Sequence, residues 1–170
     1  MVTSEVVEQA CTEVGDYSEE QMASEFERFF KAQPELCDFV VELTNDSDQK
    51  IQELSLFLSY MVFKTVQKAE AAELPAVTHS TIEEAFRQSE AWMEKFNRVD
   101  KDAVHSSILS SFDADSEPHL LHYVITEINQ LLDDGTSLTD EQKGEVFFVL
   151  KTVISTLLRR SFERESTEKA

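Results

Sequence analysis

Residues 54–63 read Leu-Ser-Leu-Phe-Leu-Ser-Tyr-Met-Val-Phe, "LSLFLSYMVF". Wound as a helix at about 100° per residue, this run sends apolar side chains in almost every direction, and a helix apolar all round is normally buried all round. Residues 146–158, "VFFVLKTVISTLL", repeat the property with one interruption, Lys151. Two such segments predict an all-α bundle in which the two long helices lie at the centre and the others cover them. Ser55 and Ser59 on one, and Thr152, Ser155 and Thr156 on the other, are small enough to let the pair approach closely.

The covering helices announce their starts. Ser18 with Gln21, Ser80 with Glu83 and Thr139 with Gln142 have capping-box spacing, in which a hydroxyl and the side chain three residues on satisfy each other's free backbone N–H groups. Pro34 and Pro118 stand where a first-turn proline is tolerated, because that N–H would be unpaired anyway, and Asp133-Asp134-Gly135 offers a left-handed stop. Apolar spacing (Phe26, Phe29 and Phe30, then Ile82, Phe86, Ser89, Met93 and Phe96, with Trp92 at the flank) fills the bodies. The expected helices span 3–14, 18–32, 34–44, 47–71, 80–98, 101–112, 117–133 and 140–163. That is a compact bundle of about 7–8 helices in a single domain, 1–170, with 164–170 as a disordered tail.

An internal repeat fits this order. Placing Pro34 over Pro118 aligns "QPELCDFVVEL" with "EPHLLHYVITE", so that Leu36 meets Leu120, Phe39 meets Tyr123, Val40 meets Val124 and Val41 meets Ile125. With eight further residues allowed in the second copy, Leu54, Leu58, Val62 and Val66 meet Val146, Leu150, Ile154 and Leu158. The expectation is two pseudo-symmetric four-helix halves, 3–71 and 80–163, sharing one core because neither covers its own long helix.

Composition narrows the function classes. A chain of 170 residues buries roughly 70% of its extended-chain surface, enough for a core without staples. The formal charge of −19 is spread along the chain, −11 over residues 1–78 and −8 over 79–170. A field of that sign repels phosphate backbones and anionic lipid, which argues against nucleic-acid and membrane-surface binding. It suits a solvated surface, a basic protein partner or a high-salt habitat. Two cysteines make no disulfide framework, the start "MVTSEVVEQAC" lacks a signal peptide's basic and apolar regions, and neither apolar run is a membrane span in length. The expected location is the cytoplasm.

Candidate chemistry is sparse. His119 and His122 fall on the helix face shared with Thr126, Asn129, Gln130 and Asp133, opposite the apolar one, whereas bundle metal sites need inward Glu-x-x-His pairs. Residues 113–117, "DADSE", open like a calcium loop, but Pro118 stands at its sixth position and Val124 at its twelfth, where a glycine and a bidentate carboxylate are needed. Asp115 or Ser116 reads better as a helix cap. Cys37 falls on the presumed core face and reads as a small hydrophobe. No phosphate loop, Gly-x-Ser-x-Gly or Cys-x-x-Cys is present. Lys151 is the unusual residue: either its stem snorkels to solvent, or its ammonium contacts an anion in a pocket between the central helices.

The stretch 117–128, "EPHLLHYVITEI", resembles the acidic, all-helical cytoplasmic chaperones of molybdoenzyme maturation, which carry a Glu-Pro-x-Asp-His motif. Here Leu120 stands where the Asp belongs and His122 is displaced by one, so the resemblance transfers no functional residue. The residues together lead to an expectation of a non-catalytic interaction, adaptor or chaperone-like protein with a protein partner, binding no cofactor or metal. The competing classes are a ligand-binding or enzymatic bundle with Lys151 and Tyr60 as contacts, and a structural homodimer.

Overall fold

The computed structural model describes residues 1–96, 117–130 and 135–168, with side chains described up to 94 in the first segment and up to 159 in the last. Among these residues seven α-helices and no strands are found: α1 Ser4–Gly15, α2 Glu19–Ala32, α3 Pro34–Leu43, α4 Gln49–Glu70, α5 His79–Phe96, α6 Pro118–Ile128 and α7 Asp140–Glu168. The helix expected at 101–112 lies outside the described residues. α7 continues past residue 163, where the apolar pattern ends.

Local chemistry accounts for most boundaries. Ser18 and Gln21 form the reciprocal box at the start of α2, and Thr139 and Gln142 form another before α7, with bonds of 3.2 and 3.0 Å. Pro34 and Pro118 open α3 and α6. Ser80 is not the cap of α5. Thr78 is, its hydroxyl accepting from Thr81 N at 3.3 Å, and Ser80 lies exposed inside the first turn. Burial of Val77 sets the entry of the chain and brings Thr78, not Ser80, to the cap. α6 ends at Ile128 rather than 133, where the Asn129 side chain turns back to donate to Ile125 O at 2.8 Å. Gly135 takes φ +78°, the left-handed conformation that glycine adopts without steric cost.

α4 and α7 make the largest helix–helix contact and form the centre. Positions 58–63 of α4 are buried six in a row, which covers its whole circumference, and α7 buries Val146, Phe147, Val149, Leu150, Val153, Ile154 and Leu157. Each fully buried Leu, Val or Ile side chain contributes roughly 1.5–3 kcal/mol relative to exposure, so this pair supplies a large share of the stabilising burial. Ser55, Ser59, Thr152 and Thr156 are buried with them. Ser59 and Thr156 satisfy their hydroxyls on the carbonyls of Ser55 and Thr152, at 2.7 Å each.

Around the centre, α1 packs on α4 and α6, while α5 packs on α7 and α3; α3 covers α4, and α6 covers α7. Two side chains tie these layers together. Gln33, fully buried, accepts from Val77 N at 2.9 Å and donates to Pro75 O at 3.0 Å, gripping the strap into α5. Glu117 accepts from Val2 N at 2.9 Å, gripping the strap into α1.

Candidate protein-recognition groove

The C-terminal half of α3 presents Phe39, Glu42 and Leu43 at helical i, i+3, i+4 spacing. Across from it, α5 presents His79, Ile82, Glu83, Phe86, Arg87 and Glu90, again one face. Between them runs a cleft of about 610 Å³. Its floor is apolar, with Ile82 buried and Phe39, Leu43 and Phe86 half-buried. Phe86 meets Phe39 edge-on with ring centroids 6.0 Å apart and Phe148 of α7 at 5.3 Å, so the floor is anchored to the central helix through an aromatic ladder. The rim is charged and exposed. Glu42, Glu83 and Glu90 stand against one guanidinium, Arg87, which donates to Glu83 O at 3.4 Å, and His79 Nε2 lies 3.4 Å from the Glu83 carboxylate. A hydrophobic floor with a polar rim is the anatomy of a protein-binding patch. The lining holds one imidazole, His79, and no Ser, Thr, Cys or Lys side chain.

A denser polar cluster lies between α1, α2 and α4. Lys64 Nζ is 3.0 Å from Glu13 and 3.4 Å from Glu25, and Lys68 Nζ is 2.8 Å from Glu13. Tyr17 donates to Glu13 at 2.8 Å and Tyr60 to Glu25 at 3.1 Å. Hydrogen bonds from Lys68, Tyr17 and Lys64 pull the Glu13 carboxyl down to about 2. Burial works against the Lys64 charge, yet its bonds to Tyr17 and Glu13 leave its pKa raised. Every charge here has a partner, so the cluster reads as a clamp holding α1 and α2 on α4.

The residues singled out in the sequence disperse. Tyr60 is buried among Phe26 and Phe29 of α2, with burial pushing its phenol up, while Lys151 faces α5, its ammonium 4.9 Å above the Trp92 ring. They contact different helices, α2 and α5. Burial lowers the Lys151 pKa. His119 and His122 are exposed, and no group of three His, Cys, Asp or Glu able to hold a metal ion occurs among the described residues. Cys37 is buried, which pushes its thiol up to about 12. Cys11 is half-buried, and burial raises its thiol. Asp113, Asp115 and Ser116 lie outside the described residues. No helix among those described is long and apolar enough to cross a membrane.

The groove escaped the sequence because Phe39 and Phe86 each satisfy a local helical pattern, and nothing local says that the space between them stays open. The clamp had a readable signal: Glu13 and Tyr17 four apart, facing Tyr60, Lys64 and Lys68 four apart on α4.

No family model, curated protein or solved structure matches this chain. The likeness to molybdoenzyme chaperones therefore rests on residues 117–128 alone.

Proposed function

We propose that this chain is a non-catalytic protein-recognition module, adaptor or chaperone-like in kind, working in the cytoplasm, and that the α3–α5 groove is its contact surface. The observation that carries the reading is the combination in that groove of a half-buried aromatic floor with an exposed charged rim. Its lining carries no Ser, Thr, Cys or Lys side chain, and the charges of the internal polar cluster pair with one another.

We further propose that the fold is a duplication, with α1, α3 and α4 matched by α5, α6 and α7. Burial class agrees at every position between residues 34–44 and 118–128, and between 1–12 and 76–87. Val2-Thr3 matches Val77-Thr78, and both threonines cap their helices. The two latch residues, Gln33 and Glu117, each precede the matched proline and each hold the strap leading into the other half's first helix.

The recognition reading is tested by affinity capture from native lysate with the wild-type chain and with Leu43→Glu in parallel, beside native mass spectrometry of the purified protein. A protein retained by the wild type and lost from the variant supports it. A small molecule or metal bound in stoichiometric amount, or capture indifferent to the groove change, overturns it.

A further inference from the structure

We infer that the occupant of the α3–α5 groove is a basic amphipathic helix of another protein, about three turns long; this rests on the recognition reading above and names the chemistry of the partner. Charge sets the sign. The exposed rim holds Glu42, Glu83 and Glu90 against Arg87, on a chain whose formal charge is −19. Lysine and arginine flanking an apolar stripe would meet those carboxylates, while an acidic segment would be repelled at contact and at a distance.

Backbone chemistry selects a helix. An extended peptide would bring unpaired N–H and C=O groups onto an apolar floor, and no strand edge exists among the described residues to pair them. A helix arrives with those groups satisfied. The lined face of α5 runs from residue 79 to residue 90, which at 1.5 Å per residue is roughly 16 Å, matching anchors at i, i+3 or i+4 and i+7.

The proposed duplication offers a comparison within the molecule. On the proposed duplication, Phe39, Leu43 and Phe86 correspond to Tyr123, Glu127 and Cys11, and each pair shares the same half-buried class. The fold accepts a phenol, a carboxylate and a thiol at those three places between α1 and α6. At the α3–α5 copy it carries two phenylalanines, whose rings pack on each other and on Phe148, and a leucine in place of the carboxylate, so this copy alone lines its cleft with apolar groups.

The test uses the full chain and three fluorescein-labelled 14-residue peptides: an amphipathic Leu/Lys helix, a scramble of the same composition, and a Leu/Glu helix, each followed by fluorescence anisotropy at low and moderate salt. The Leu/Lys helix is expected to bind at least tenfold more tightly than its scramble. Leu43→Glu should weaken it at least tenfold even though the variant is more acidic, and Glu42→Lys with Glu90→Lys should weaken it as well. Because Glu127 occupies the matched position, Leu43→Glu is expected to fold, which a thermal melt checks. Binding that survives or tightens in Leu43→Glu means attachment to net charge alone and overturns the inference. If instead the Leu/Glu helix binds in a Leu43-dependent way, the basic partner is wrong while groove recognition stands. If no peptide responds to Leu43→Glu, the groove reading fails with it.

Discussion

Replacing Gln33 by alanine tests whether the latch, rather than the helices it joins, holds the second half of the chain in place. The amide is fully buried; it accepts from Val77 N at 2.9 Å and donates to Pro75 O at 3.0 Å and to Leu74 O at 3.4 Å. Alanine leaves the buried Val77 N–H orphaned, which costs about 1–3 kcal/mol, and opens a small void where the amide was, adding about 1 kcal/mol. A loss of about 3 kcal/mol lowers the melting temperature by roughly 10 °C for a domain of this size. Gln33→Glu separates polarity from volume. The carboxylate keeps the acceptor for Val77 but faces two carbonyls, so the folded state raises its pKa above the unfolded value. The variant should then match the wild type most nearly below about pH 4, and fall behind by about 1.4 kcal/mol per pH unit as pH rises toward the folded pKa. Glu117→Gln, which retains an acceptor for Val2 N at a half-buried site, should cost about 1 kcal/mol or less. Urea denaturation from pH 4 to 8 reads all three. A Gln33→Ala loss below 1 kcal/mol, or a Gln33→Glu profile parallel to the wild type, refutes the latch.

Acid should loosen the α1–α4 clamp: Glu13 is held at about 2 rather than 4.5, so its contribution is full above pH 4.5 and is lost as pH falls toward 2. Its side chain is about one-third exposed, so screening leaves about 1 kcal/mol, and the stability gap between wild type and Glu13→Gln should close over that window in urea melts. Ellman's reagent should label Cys11 in the folded protein and reach Cys37 only on unfolding, since Cys37 is buried and its thiol sits at about 12; labelling at equal rates would contradict the packing of α3. Leu58→Ala, at a fully buried position of α4, should cost about 2–5 kcal/mol, whereas Ser55→Ala removes a buried hydroxyl with no partner and should be neutral or stabilising by calorimetry.

The bundle was readable because its decisive signals are short-range. A helix apolar on every side, such as 58–63, has no exposed solution, and the box at Ser18 closes within three residues, so neither depends on the rest of the chain. Where two hydroxyls competed, local pattern could not choose: Thr78 and Ser80 are both able to cap, and the burial of Val77, held by Gln33 at the junction of α2 and α3, decides between them. The latch and the groove were beyond reach for one reason. Gln33 and Val77 are 44 residues apart, and the groove exists only because α3 and α5 stop short of closing over Phe39 and Phe86. Composition reported the acidity of the rim but not its placement.

Lys151, the residue that stood out most in the sequence, gains its explanation from the other half of the molecule. On the proposed duplication Trp92 occupies the position of Tyr17, and each ring has a lysine over it, Lys151 at 4.9 Å and Lys64 at 5.8 Å. The two ammonium groups reach their rings from different turns of α4 and α7, so the contact is matched while the residue that makes it is not. What surrounds them differs too. Glu13, which pairs with Lys64, corresponds to Gln88, and among the described residues no carboxylate pairs with Lys151. The ring quadrupole offers a half-buried ammonium about 1 kcal/mol, less than a carboxylate at 3 Å would, which is why burial wins at Lys151 and lowers its pKa while the partners win at Lys64 and raise it. The Lys151 ammonium rests over the indole of α5. The indole of Trp92 gives the Lys151 ammonium a partner inside the fold, and the aromatic floor between α3 and α5 is the surface we propose for a partner protein.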